Sequence, residues 1–239
     1  MIITIDGPAG TGKSTVAHLL ARRMGLEFLD TGAMYRALTL LVLEANVDPA
    51  DRAGVESAVR LADVRFDFDR DPPSLWLGNR CVGESIRGGR VTDAVSAVAA
   101  HPAVREAMVR SQRAIAMAHP RLVTEGRDQG SCVFPDAEVK FYLDASVDIR
   151  AQRRAEQLRA KGEDVDLPRL RRSIEERDRS DRSRTIGALV KPRDAMVVDT
   201  GPLSVGLVVD TLERLARDRL RWLESAAREG ELVVGEVEA

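Results

Sequence analysis

Gly7-Pro8-Ala9-Gly10-Thr11-Gly12-Lys13-Ser14 is the stretch on which the reading of this chain turns. It matches G-x-x-x-x-G-K-[ST] at every fixed position, the pattern of a loop that wraps phosphate. Its surroundings agree. The apolar run Ile2 to Ile5 in front reads as a short buried strand, and Thr15 to Met24 behind carries Val16, Leu19 and Leu20 at helical spacing. Glycines let the backbone come close to phosphate oxygens. Successive N–H groups and the positive end of the following helix then hold the anion. In that geometry Lys13 reaches the outer phosphates and the Ser14 hydroxyl can ligate Mg²⁺. Gly7 to Thr15 are therefore candidate ATP-binding residues, with Lys13 a candidate catalytic cation and Ser14 a candidate metal ligand.

Outward from this loop the chain alternates strand and helix. Glu27 to Leu29 reads as a strand, Ala33 to Glu44 as a helix, Leu122 to Thr124, Val139 to Leu143 and Ala195 to Val198 as further short strands. Helices are expected over Thr92 to Ala100, Pro102 to Ala118, from the Ser146 cap to about Arg159, from Leu167-Pro168, and from Ser204. This order predicts an α/β fold: a P-loop NTPase core with a parallel sheet flanked by helices. Asp63 to Gly83 breaks the pattern. Val64, Phe66 and Phe68 alternate with charged residues, and Gly78-Asn79 is a turn dipeptide between Leu75-Trp76-Leu77 and Arg80-Cys81-Val82. It reads as a small antiparallel insertion within about 61–92. The expected organisation is one domain over 1–222, with an acidic, Gly-interrupted tail over 223–239 expected to lack order.

Composition narrows the function. The chain has 239 residues, 44% of them hydrophobic and a net charge of −2, which argues against a general nucleic-acid or membrane-surface binder. Cys81 and Cys132 have no metal-like spacing and read as reduced thiols. With no leader-like start and no apolar run long enough to span a bilayer, a cytoplasmic protein is expected. No Asn-Lys-x-Asp guanine-reading motif occurs, which counts against a GTPase.

Only four of the 36 basic residues are lysines, at 13, 140, 161 and 191, so arginine carries the basic chemistry. Arg177, Asp181 and Arg184 share one helix face. Spacing alone allows an exposed ion-pair ladder of little consequence for stability. It equally allows a short helical lid: Arg150, Arg153 and Arg154 form a second basic face on the preceding helix, and the lid, about 150–184, would close over phosphates and exclude water.

Further stretches carry a resemblance: Ile3 to Pro8 running into the loop, Leu29-Asp30-Thr31-Gly32-Ala33-Met34-Tyr35-Arg36, Glu125-Gly126-Arg127-Asp128 with Phe134-Pro135-Asp136-Ala137, and Glu176 to Arg184. From Ile2 to about Leu220 the chain resembles the bacterial cytidylate kinases, of the nucleoside monophosphate kinase family. Thr31 stands for a Ser of some members, Glu125 for an Asp, and Gln129 and Ser131 are less usual. The resemblance implies transfer of a phosphoryl group from ATP to CMP, and to dCMP, with Mg²⁺, in pyrimidine nucleotide metabolism. It implies that Arg36, Arg127 and Arg184 serve catalysis at the phosphates. Thr31, Arg105 and Asp128 would read the base, Ser96, Arg177 and Asp181 would hold the ribose, and Arg153 would lie near ATP. The small-molecule nucleotides would be the partners of a monomer that takes no nucleic acid and no membrane.

Chemistry fits these roles. Arginine forks bind phosphate bidentately. Asp128 accepts and Arg105 donates, which complements the N4 donor and the N3 and O2 acceptors of cytosine. Two other readings of the residues stay open: a P-loop kinase for dTMP or shikimate, and a non-catalytic P-loop switch or RNA-binding module. A comparison of acceptors separates the first, and stoichiometric binding without turnover marks the second.

Overall fold

A computed structural model describes the backbone of residues 1–235 and the side chains of residues 1–228. Strand β1 (Ile2–Asp6) leads through the P-loop into helix α1 (Lys13–Met24); β2 (Glu27–Asp30) leads directly into α2 (Thr31–Glu44). The insertion holds α3 (Arg52–Val59), β3 (Val64–Asp67), β4 (Ser74–Leu77) and β5 (Arg80–Cys81). The chain returns through α4 (Gly89–Val98), α5 (Pro102–Ala118), β6 (Leu122–Gly126) and β7 (Val139–Asp144). It closes with α6 (Val147–Arg159), α7 (Leu167–Arg182), β8 (Met196–Asp199) and α8 (Val205–Gly235).

The main sheet is wholly parallel, in the order β2-β6-β1-β7-β8. Its inner strands β1, β6 and β7 are buried on both faces, as their apolar runs require: Ile3, Ile5, Val123, Phe141 and Leu143 are all at 0% exposure. One face packs Val16, Leu20, Val209 and Leu212 from α1 and α8, and the other packs residues of α2, α4 and α5. The small sheet is antiparallel, β3-β4-β5, with Leu77 opposite Arg80 across the Gly78-Asn79 turn. The expected fold class is the observed one. Among the described residues no helix is long and apolar enough to cross a membrane.

Parallel strands all point one way, so their C-terminal ends share one edge. Ile5 stands opposite Glu125, and Asp6 opposite both Gly126 and Tyr142. The P-loop, Thr31, Arg127, α6 and Thr200 all leave the sheet along that edge. This is where ligands of open α/β sheets bind.

Several boundaries differ from the sequence reading. Residues Arg52–Val59 form a helix that periodicity alone did not mark; Asp51 caps it by accepting from the Ala53 N–H, and Val55 and Val59 bury one face. The first insertion strand stops at Asp67, whose carboxylate turns back to the Asp69 N–H. The final helix, expected from Ser204, runs from Val205 to Gly235. Leu223, Glu224, Ala226, Ala227 and Arg228 are strong helix formers that propagate it. The rest of the expected tail, 236–239, lies outside the described residues.

Candidate active site

The P-loop follows β1 and ends at Gly12, whose left-handed conformation (φ 88°) starts α1 at Lys13. Lys13 is 5% exposed and its ammonium donates to the Pro8 carbonyl at 2.8 Å. Burial, and next the charge of Arg127, lower its pKa to about 7. Ser14 donates to Glu125 Oε1 at 2.8 Å. Asp30, at the end of the neighbouring strand, faces the same point, and burial followed by the charge of Glu125 raises it to about 7. Ser14, Glu125 and Asp30 thus gather oxygen donors at one point, a donor set that suits Mg²⁺, which takes one or two carboxylates and completes its shell with water and substrate phosphate.

Asp6, the last residue of β1, is fully buried and accepts the N–H groups of Gln129 and Gly130 at 2.8 and 2.7 Å. It thereby pins the wide turn Gln129–Val133 directly behind Arg127 and Asp128. Burial is the largest influence on Asp6 and raises its pKa to about 7 against the pull of those two donors.

Three arginines converge on one carboxylate, Asp181, and a fourth, Arg36, stands nearby. Arg127 Nε donates to Asp181 Oδ2 at 2.9 Å, and Arg184 Nη2 lies 2.5 Å from Asp181 Oδ1. Arg177, one turn away on α7, is pushed down to about 10 by burial and then by Arg127, with Arg36 and Arg184 adding to the same effect. Burial alone would raise Asp181, but Arg127, Arg184 and Arg177 together hold it below the usual carboxylate range. Arg36 reaches from α2 to Thr92 Oγ1 at 2.9 Å and the Ile86 carbonyl at 3.2 Å. Arg127, Arg177 and Arg184 outnumber the carboxylate they share, and Arg36 adds to the positive surroundings of Arg177.

The exposed-ladder reading of Arg177, Asp181 and Arg184 is overturned. Asp181 is 1% exposed, and the face that carries it is turned inward against Arg127 rather than out to solvent.

Beside this cluster Arg105 and Asp128 form an ion pair of 2.5 Å, both buried, with the Arg105 guanidinium 5.2 Å from the Tyr35 ring centroid. The two residues expected to read a base therefore bind each other. The loop after α7 seals them: Gly187 has φ +63°, and a β-carbon there would lie 2.1 Å from Arg105 Nη2 and 2.2 Å from Asp128 Oδ2. Thr31 opens α2 and donates to the Glu125 carbonyl at 2.6 Å. Ser96 is half-buried on α4, which packs against α7. Arg153 turns to Thr200, donating to its carbonyl at 2.6 Å, and the Thr200 hydroxyl donates to the Thr11 carbonyl of the P-loop at 3.2 Å.

Seven side chains among the described residues hold a buried polar atom with no hydrogen-bond partner, and three of them are Arg105, Arg177 and Arg184, each at Nε. Such atoms are costly unless something satisfies them, and here they line one site. A separate cavity of about 490 Å³ lies between α6 and α7 among Ile149, Ala151, Leu167 and Pro168, away from these groups; it holds none of the chemistry. The sequence reading missed Asp6 and Asp30, and it set Arg150 on a basic lid face, whereas Arg150 is buried against the P-loop and Asp178. Asp30 and Asp6 each end a strand at the working edge, which is a signal visible once the strand order is known.

The family model described as "Cytidylate kinase" matches residues 3–218. A protein named cytidylate kinase from Mycolicibacterium paratuberculosis is 44% identical over 219 residues, 92% of this chain and 96% of that protein. Another of the same name from Aeromonas salmonicida is 43% identical over 92% of this chain and 95% of its own length. Among solved structures, an uncharacterized protein from Eubacterium ventriosum superposes with a TM-score of 0.52 at 14% identity, covering 91% of this chain and 98% of that one, a likeness of fold alone.

Proposed function

The chain belongs to the cytidylate kinase family, and from that premise we propose that it transfers the terminal phosphoryl group of ATP directly to the phosphate of CMP, and of dCMP. The observation that carries this reading is the cluster of Arg127, Arg177 and Arg184 around Asp181, with Arg36 close to Arg177, set beside Lys13 on the same sheet edge. A positive cluster next to a P-loop suits two phosphorylated substrates brought end to end.

In this reading Gly7 to Thr15 hold the phosphates of ATP through backbone N–H groups, and Lys13 exchanges the Pro8 carbonyl for an outer phosphate oxygen. Phosphate contact restores the full charge that burial takes from Lys13. Arg153 and Thr200 flank the donor side. Arg36 and Arg127 grip the CMP phosphate, and Arg184 reaches the transferring group from the lid. Ser14, with Glu125 and Asp30 behind it, would hold Mg²⁺, which neutralises phosphate charge when bound.

The acceptor phosphate, with a second pKa of about 6 by analogy with phosphoserine, is mostly ionised at neutral pH and needs no general base. What remains for the protein is alignment and charge neutralisation. At the base end, the Arg105–Asp128 pair leaves Arg105 Nε as a free donor, and Asp128 keeps a second carboxylate oxygen. One donor beside one acceptor matches cytosine N3 and N4, and Thr31 adds a hydroxyl. Uracil reverses both groups, and each buried mismatch costs about 1–3 kcal/mol. Ser96, Arg177 and Asp181 supply the ribose contacts.

The test is ADP release with ATP, Mg²⁺ and a panel of CMP, dCMP, UMP, AMP and dTMP. CMP and dCMP should have the highest kcat/KM. A preference for AMP or dTMP would overturn the reading of the base site.

A further inference from the structure

Arg150 has no part in the nucleotide contacts above, yet it is among the most enclosed charged residues, 2% exposed. Each nitrogen of its guanidinium serves a different segment. Nε donates to the Ala145 carbonyl at 3.0 Å, Nη1 donates to the Ala9 carbonyl of the P-loop at 3.1 Å, and Nη2 meets Asp178 Oδ2 on α7 at 2.7 Å. The approach depends on Gly10, where a β-carbon would lie 3.1 Å from Arg150 Cβ and the backbone holds φ +86°. Asp178 is also 2% exposed, and its other oxygen, Oδ1, has no partner. Arg150 is thus what ties this point of α7 to the donor side.

Asp178 stands between Arg177 and Asp181 on the same turn of α7. Whatever sets the position of Asp178 also sets those two residues, because a helix turn moves as a rigid unit. At its other end Arg150 holds the C=O of the peptide unit whose N–H belongs to Gly10. A phosphate in the loop draws on that N–H, and hydrogen bonds at the two ends of one peptide polarise and strengthen each other. Buried ion pairs add little net stability over apolar replacements, so its cost is better accounted for by what it orients.

We propose that Arg150 and Asp178 are positioning residues, forming a link through which occupation of the P-loop by a triphosphate sets the acceptor-binding face of α7. Binding of ATP and binding of CMP are then mutually favourable, and by linkage the effect is equal in both directions. The inference rests on the phosphoryl transfer proposed above.

The test is calorimetric titration of CMP with and without a saturating non-hydrolysable ATP analogue, for the wild type, Arg150→Met, Asp178→Asn and the double variant, each checked for a cooperative melt. In the wild type the analogue should tighten CMP by about fivefold or more, the lower end of typical coupling. In each variant the ratio should fall below about twofold, and the double variant should match the single ones, since cutting a link at either end or both has the same effect. A merely structural role would lower the melting temperature and leave the ratio alone. Should Arg150→Met fail to fold, the nearly isosteric Asp178→Asn decides. A wild-type ratio near one, or folded variants that keep the wild-type ratio, would overturn the link. CDP formation by the wild type is measured alongside: its absence strikes the reaction and the link together, whereas CDP formation with unchanged ratios strikes the link alone.

Discussion

Lys13 was legible from its motif and Asp128 through resemblance, and the structure shows what neither gives: each is already engaged, Lys13 by the Pro8 carbonyl and Asp128 by Arg105. Lys13→Ala removes the cation at the transferred phosphate, so kcat should drop by about 100-fold or more, the scale for loss of one preorganised charge stabiliser, while the melting temperature stays close to wild type. Steady-state kinetics with a melting curve checks both halves. Asp128→Asn can turn an NH₂ toward a 4-keto group, so the CMP/UMP ratio of kcat/KM should fall by about tenfold, one lost polar match, with KM for ATP little changed. An unaltered ratio would remove Asp128 from base reading. Asp6 was not legible, because its role needs the register that brings Gln129 and Gly130 to its carboxylate. Its folded pKa of about 7 lies above its ordinary 3.8. The folded state therefore favours protonated Asp6, and that contribution to stability is full below pH 3.8 and lost as the pH rises to about 7. Asp6→Asn lacks this loss. Relative to the variant, the wild type should lose stability across that window, with a slope of at most about 1.4 kcal/mol per pH unit, in denaturant melts run at several pH values.

At the scale of elements, α7 shows the limit of spacing arguments. The i, i+4, i+7 spacing of Arg177, Asp181 and Arg184 predicts one helix face, but α7 ends at Arg182 and Arg184 lies just past it; nor does spacing say whether that face meets water or Arg127, because the partner lies 54 residues away in sequence. Burial changes the energetics. An exposed ladder predicts almost no change in melting temperature on Asp181→Ala. The observed enclosure leaves Arg127 and Arg184 without their carboxylate, at a cost of about 2–3 kcal/mol, at the low end for breaking a buried pair because Arg127 keeps some solvent contact. That corresponds to a fall of about 4–12 °C for a chain of this size. KM for CMP should rise as well, since the ribose loses an acceptor, whereas Arg184→Ala should act mainly on kcat. Melting curves beside CMP saturation curves check both. Helix α3 escaped periodicity for a different reason: eight residues give only two buried positions, Val55 and Val59, too few to stand out from background.

At the scale of the molecule, the fold was more legible than the site. Strand–helix alternation and buried apolar runs imply a parallel sheet without any knowledge of partners, and Gly78-Asn79 marks the hairpin of the insertion locally. The site is assembled from five strand ends whose adjacency follows from the order β2-β6-β1-β7-β8, which no local pattern carries. Arg36, Arg127 and Arg184 were reached through resemblance, while Asp30, Asp6 and the contacts of Arg150 became visible only when that edge was assembled. The proposed function requires donor and acceptor phosphates to meet in line between Lys13 and the arginine cluster. Incubation with γ-labelled ATP, Mg²⁺ and CMP, followed by separation of the nucleotides, tests this most directly. The account predicts that label moves into the β-phosphate of CDP, one CDP for each ADP formed. ADP and labelled inorganic phosphate without labelled CDP would contradict it.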